Sequence, residues 1–183
     1  TAGLDGLYGA FQVTGVDTLI NAGSITAASN ALECLSEAGC LLNNSGFASS
    51  RSDVLYGFEG NDTFINSGTL VSSLLSGIEG SFGNDSIVNL SGGWIGPVGG
   101  VGITGSFGND TITNAAGGTI ADYVSGGEGC DSITNAGLIT GGILDIGDDC
   151  AGHIINSGTV GVGVEGSAGA DSLVNSLGGV ILS

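Results

Sequence analysis

The chain repeats one short pattern of apolar and polar positions, and residues 105–120, GSFGNDTITNAAGGTI, carry a complete copy of it. Each copy has a glycine turn that ends in Asp, an apolar residue two positions later and Asn two positions after that. A second glycine turn then leads to another apolar residue. Because polar and apolar positions alternate over five residues, the pattern predicts a short β-strand with one buried face.

Three columns emerge when the copies are aligned. The asparagines are Asn21, Asn44, Asn66, Asn89, Asn114, Asn135, Asn156 and Asn175. The apolar residues two positions earlier are Leu19, Leu42, Phe64, Ile87, Ile112, Ile133, Ile154 and Leu173. Four positions before the Asn stand Asp17, Asp62, Asp85, Asp110, Asp131 and Asp171, with Cys40 and Gly152 in the two remaining copies. The repeat averages about 22 residues, a length that predicts a stacked rather than a globular architecture.

Short strands separated by glycine turns at this period predict an all-β fold, a parallel β-solenoid of about eight coils. Each coil stacks on the last at about 4.8 Å. We expect one domain over residues 1–183, with a partial coil at 1–14. The segment 27–42, AASNALECLSEAGCLL, is predicted to be an irregular insertion with a short helical turn starting near Ser29 or Asn30.

The Asn column shares its parity with the apolar column, so its side chains are predicted to point inward. An inward Asn can bond to the next coil and to backbone groups that lack partners. We therefore interpret the eight asparagines as a structural ladder.

Charge narrows the possible partners. Eighteen Asp and Glu residues face a single cation, Arg51, which gives a formal net charge of −17. We expect no nucleic acid binding, because phosphate contacts need Lys and Arg. The same deficit argues against an anionic membrane surface, and no apolar run has the length of a membrane span.

Four cysteines occur without a CxxC motif, and the single histidine, His153, gives no zinc-ligand spacing. Disulfides are the better interpretation. Cys34 and Cys40 could close a local bridge, whereas Cys130 and Cys150 lie about one coil apart and could join two neighbouring coils. Disulfides imply an oxidising place outside the cytoplasm.

The glycine and Asp turns GFEGNDTFI, GSFGNDSIV, GSFGNDTIT, GGEGCDSIT and GSAGADSLV resemble the nonapeptide of RTX-type calcium-binding β-rolls. The resemblance implies calcium as a cofactor, held by carboxylates of Asp62, Asp85, Asp110, Asp131 and Asp171. The period departs from that family, which packs two nonapeptides into each coil. In the alternative interpretation, each Asp caps its own turn by accepting backbone N–H bonds.

Longer phrases such as GNDTITNAAGGTI, GNDTFINSGTL and CDSITNAGLIT resemble the repeats of bacterial autotransporter passenger domains and filamentous adhesins. The resemblance implies a right-handed parallel β-solenoid on the cell surface or outside the cell. The chain opens without a signal region and stops in mid-pattern, which we interpret as a fragment or as a subunit that joins others end to end.

Outward positions of the same strands combine hydroxyls with β-branched side chains. Such a face could pack against another rod, bind a glycan or bind ice. No cluster of acids with Lys or Arg can form a catalytic site. The densest acid pair, Asp148 and Asp149, is adjacent in sequence, so its side chains point apart. We therefore expect no enzyme activity and no catalytic residue.

These observations predict a secreted or surface-displayed structural protein that assembles head to tail with itself into an extracellular filament. The alternative is an adhesin segment that binds a glycan or a host cell surface. Ice binding is the weaker third alternative.

Overall fold

The computed structural model describes residues 7–8, 16–97, 100–144 and 150–183. The predicted partial coil at 1–14 therefore lies outside the described residues, apart from the strand Leu7–Tyr8. Every regular element in the described ranges is a β-strand. Those ranges contain no helix that could span a membrane.

Three strands form one turn of the chain, which we call a rung. Rungs one to four comprise β1 (Leu7–Tyr8), β2 (Asp17–Asn21), β3 (Ser24–Thr26), β4 (Leu32–Glu33), β5 (Cys40–Asn44), β6 (Phe47–Ser50), β7 (Leu55–Tyr56), β8 (Thr63–Asn66), β9 (Thr69–Ser72), β10 (Ile78–Phe82), β11 (Ser86–Asn89) and β12 (Trp94–Pro97). Rungs five to eight comprise β13 (Ile103–Phe107), β14 (Thr111–Asn114), β15 (Thr119–Ile120), β16 (Val124–Glu128), β17 (Ser132–Asn135), β18 (Leu138–Ile139), β19 (Ile143–Leu144), β20 (His153–Asn156), β21 (Thr159–Val160), β22 (Val164–Glu165), β23 (Ser172–Asn175) and β24 (Val180–Ile181).

Like strands of successive rungs pair in parallel and build three sheets of eight strands each. The first sheet begins with β1, the second with β2 and the third with β3. Register is kept from rung to rung, so that Ile112 pairs with Ile87 on one side and Ile133 on the other. The predicted all-β parallel solenoid of about eight coils is confirmed.

The core is a set of apolar columns along the inside of the rod. The second sheet contributes the column that the sequence predicts, which is 0–3% exposed from Leu19 to Ile154. The first sheet adds Leu32, Leu55, Ile78, Ile103, Val124 and Ile143, and the third adds Ala48, Leu70, Ile95, Ile120, Ile139 and Val160. Burial of each large apolar side chain contributes about 1.5–3 kcal/mol.

Residues 27–42 do not form the predicted irregular insertion with a helical turn. They contain β4, which pairs with β7 in the first sheet, and Leu32 stacks in register with Leu55. Ala31 and Leu32 are both fully buried. The weak helix propensity of this stretch is outweighed because stacking buries Leu32 in the continuous core.

Candidate functional site: the corner columns

The aspartate column lies at the corner between the first and second sheets, inside the rod. Asp62, Asp85, Asp110 and Asp131 are only 1–2% exposed. Asp17 is also buried, whereas Asp171 in the last rung is half-buried. The predicted carboxylates therefore do stack, but they face the core and not the solvent.

One oxygen of each stacked carboxyl accepts a backbone N–H from the preceding rung. Asp85 Oδ1 accepts from the N–H of Asp62 at 2.7 Å, and Asp110 Oδ1 accepts from the N–H of Asp85 at 2.7 Å. The series continues from Asp110 N–H to Asp131 Oδ1 at 2.8 Å. For Asp85 and Asp110 the alternative prediction of a cap on the same turn is wrong, because the donor belongs to the neighbouring rung.

The second carboxyl oxygen lies against a glycine of the preceding strand. Oδ2 of Asp62, Asp85 and Asp110 is buried and makes no hydrogen bond among the described residues. A Cβ placed on Gly105 would collide with Asp110 Oδ2 and with the carbonyl oxygen of Gly126. Glycine is thus needed at Gly57, Gly80 and Gly105, because the carboxyl group takes the space of a side chain.

Burial changes the acidity of this column. Desolvation raises the pKa of Asp62 to about 7, helped by the neighbouring Asp85 charge and opposed by the Cys40 N–H. Desolvation likewise raises the pKa of Asp110 to about 7 and that of Asp85 to about 6. Protonation removes the cost of a buried charge, so these carboxyls tend to be neutral in mildly acidic solution.

The geometry of the column differs from the oxygen cage that the calcium resemblance implies. Ca²⁺ takes six to eight oxygen ligands. Here one oxygen of each carboxyl is engaged by a backbone N–H, and the other is pressed against a glycine inside the rod. The geometry suits an acceptor for backbone donors better than a metal ligand, for Asp62, Asp85, Asp110 and Asp131. The half-buried Asp171 accepts from Gly152 N–H and from the Ser167 hydroxyl.

The eight asparagines form one continuous ladder at the corner between the second and third sheets. In the first seven of them, Nδ2 donates to Oδ1 of the asparagine in the following rung, at 2.7–2.9 Å. A second donation from Nδ2 reaches a backbone carbonyl, as from Asn89 to Gly93 at 3.2 Å. All donors run in the same direction along the rod, which gives the ladder a polarity.

One further corner column and one further corner contact were not predicted. Asn61, Asn84 and Asn109 lie outside the aspartates, and each Oδ1 accepts an N–H of the following rung at 2.7–2.8 Å. The sequence does contain a signal for this column, the Asn that directly precedes Asp in GND, but the alignment did not use that position. At the corner between the third and first sheets, Asp53 Oδ1 accepts the Ser76 N–H at 2.8 Å. No repeated motif in the sequence predicts this contact.

Both disulfides lie at the corner between the first and second sheets. Cys34 stands in the glycine column and Cys40 in the aspartate column, so the Cys34–Cys40 bridge takes the place of a carboxyl against a glycine. Cys130–Cys150 joins the turn before β17 to the turn before β20, as predicted for a bridge between neighbouring coils. Disulfide formation by all four cysteines is confirmed.

In the described ranges, the structure does not assemble the other candidate metal-binding or catalytic residues into a site. Cys34, Cys40 and Asp62 place ligand atoms within 4.8 Å of one another, but both sulfurs belong to the disulfide. His153 is exposed on the outer face of the second sheet. The predicted acid pair Asp148 and Asp149 lies outside the described residues.

No protein-family model, curated protein or solved structure matches this chain. The stacked coils agree with the solenoid fold that both resemblances imply.

Loss of one ladder amide should weaken the rod strongly. Asn114→Ala leaves Asn89 without its side-chain acceptor and Asn135 without its side-chain donor, and each buried unpaired polar group costs about 1–3 kcal/mol. We expect the free energy of unfolding in urea to fall by about 2–5 kcal/mol. The exposed Asn109→Ala is the matched control and should lose less than about 1 kcal/mol. Equal losses would contradict a special role for the ladder.

Stability should fall as pH rises through about 6–7. The folded-state pKa values of the buried carboxyls exceed the unfolded value of about 3.9, so their stabilisation is complete below that pH and is lost above the folded values. We expect a higher melting temperature at pH 5 than at pH 8. Asp85→Asn should reduce this difference, and the exposed Glu128→Gln should leave it nearly unchanged. A melting temperature that rises with pH would contradict the buried column.

Calcium should have no specific effect on melting. With a net charge of −17, any added cation screens self-repulsion, so Ca²⁺ must be compared with Mg²⁺ at equal ionic strength. We expect equal melting temperatures in the two salts and no fall on addition of a calcium chelator at constant ionic strength. A rise with Ca²⁺ alone that the chelator reverses would establish the cage that the geometry disfavours.

Proposed function

We propose that this protein is a non-catalytic structural rod of an extracellular or cell-surface filament, in which copies join head to tail. Its inward positions are filled by apolar columns and by side chains that bond one rung to the next. Such an arrangement supplies stiffness and length. The two disulfides support an oxidising location.

The observation that carries the proposal is the exposure of the last described rung. The side chain of Leu173 in β23 is 49% exposed, whereas Ile154 in the same column one rung earlier is 2% exposed. Val174 and Val180 of the same rung as Leu173 are also more than 40% exposed. A further rung would cover these side chains and pair with their strands, and in this proposal a second copy supplies it.

Ladder polarity favours head-to-tail over tail-to-tail contacts. Asn156 donates to Asn175, and Nδ2 of Asn175 donates to the Gly179 carbonyl in the last described rung. A rung that continues the pattern would offer an Asn Oδ1 at this point. A second copy that joins with its strands in the same direction extends the ladder, whereas a copy approaching with its own last rung reverses the strand direction. Non-closing contacts of the head-to-tail kind generate filaments.

Assembly is tested by sedimentation velocity and negative-stain imaging over a concentration series at about 0.15 M salt, where charge repulsion is screened within about 8 Å. We expect rods of uniform width whose length grows with concentration. Leu173→Lys should abolish growth, because it places a charge on the apolar edge. Leu177→Lys is the matched control, since Leu177 is a fully exposed turn residue of the same rung.

A species that stays monomeric at every concentration would contradict the proposal. A dimer as the largest assembly would also contradict it, because that outcome indicates tail-to-tail closure. Growth that is insensitive to Leu173→Lys would show that the open edge is not the contact.

A further inference from the structure

On the outward face of the third sheet, side-chain character alternates with a period of two rungs, whereas the sequence repeat has a period of one rung. One residue per rung projects from the first position of each strand, and register places these residues in a single column. From the first rung to the eighth the column reads Ser24, Phe47, Thr69, Trp94, Thr119, Leu138, Thr159 and Val180. Hydroxyl side chains occupy the odd rungs and large apolar side chains the even rungs.

The apolar members are open to solvent. Phe47, Trp94, Leu138 and Val180 are 36–42% exposed. Two strand spacings separate successive members, so the apolar residues recur at about 9.6 Å. We call this column the alternating track. Exposed apolar rows of this length mark a contact surface.

Trp94 presents the flattest part of the track. A Cβ on Gly96, two residues along the same strand, would collide with the six-membered ring of Trp94, and Gly96 is buried on this outer face. The indole therefore lies along the sheet over Gly96, which leaves its other ring face toward solvent. Thr69 and Thr119 pair with Trp94 on either side, so threonines flank the tryptophan in this column.

The track carries no charge, although the chain has a net charge of −17. Neither the alternating track nor the described members of the neighbouring column, Thr26, Ser49, Val71 and Gly96, include an ionisable side chain. An anionic polymer, or a second copy of this rod packed side by side on this face, would be repelled by the surrounding charge. A neutral ligand would not be repelled.

We propose that the alternating track binds a neutral, extended β-1,4-linked polysaccharide along the axis of the rod. In such a polymer consecutive sugar rings are turned by half a revolution, so an equivalent ring face returns once per disaccharide, a length close to two strand spacings. The axial C–H groups of a pyranose carry partial positive charge and stack on the negative face of an aromatic ring. Hydroxyls of the odd rungs meet the hydroxyls of the intervening sugar. This proposal does not depend on filament assembly.

Binding can be followed directly, because Trp94 is the single tryptophan of the chain. Cellohexaose should change the intrinsic fluorescence with a saturating dependence on concentration. Maltohexaose, with the same sugars in an α-linked, coiled chain, should not. The chain should also be depleted from solution by cellulose powder, and the Trp94→Ala and Phe47→Ala variants should each bind roughly tenfold more weakly.

Two variants make the test specific. Phe58→Ala is the matched control for Phe47→Ala, because both phenylalanines are 39% exposed and Phe58 lies off the track. The double variant Trp94→Thr with Thr119→Trp keeps the composition but moves the indole by one rung. It should bind as weakly as Trp94→Ala, since the spacing to Phe47 is then three rungs. Unchanged melting temperatures establish that each variant is folded.

Wild-type binding by the double variant would overturn the two-rung register. An equal loss in Phe58→Ala, or equal responses to the two hexasaccharides, would overturn the track as the binding site. Absence of cellulose binding together with self-association that depends on Trp94 would assign the face to a second copy and overturn the proposal.

Discussion

The structure depends on how the backbone N–H groups at the corners of each rung are satisfied. Strands satisfy their own groups through the sheets, but each rung turns three times, and the turns lie where the chain cannot pair as a strand. An unpaired buried N–H costs as much as a lost hydrogen bond. This protein meets the need with short side chains that reach to the neighbouring rung, including Asp85 and Asp110 inside the first corner and the asparagine ladder at the second.

An acidic residue at a corner solves the hydrogen-bonding problem but introduces a buried charge. A carboxyl is an acceptor with two oxygens, and only one of them is used here by Asp62, Asp85 and Asp110. The neutral amide of the asparagine ladder has no such cost, and it both donates and accepts. The aspartate column consequently couples stability to pH, whereas the asparagine ladder contributes stability that does not titrate.

Much of the fold could be predicted because the second sheet alternates strictly. The apolar residue and the asparagine, Ile112 and Asn114 in one copy, are two positions apart in every copy of the repeat. Their shared inward face therefore follows from strand geometry. The first sheet was not predicted, because Ile78 and Ile103 stand among glycine turns with no alternation around them. The helical turn predicted near Ser29 was wrong because helix propensity is a local property and does not include the stacking of Leu32 on Leu55.

The candidate site residues likewise include features that the sequence predicts and features that only the structure shows. Sequence spacing indicated a column of aspartates, but only the structure shows that Asp85 bonds to the rung before it and not to its own turn. The alternating track could not be predicted from the sequence. Because turn lengths vary between copies, the sequence spacing does not show that Phe47 and Trp94 are two rungs apart in one column.

Hydrogen exchange at the corner amides tests the central claim most directly. The N–H groups of Asp62, Asp85 and Asp110 lie just outside strands β8, β11 and β14, where an ordinary turn amide would exchange rapidly. Donation to a buried carboxyl of the next rung predicts protection comparable with that of the strand amides beside them. Rapid exchange at these three amides, with the strands still protected, would contradict the account.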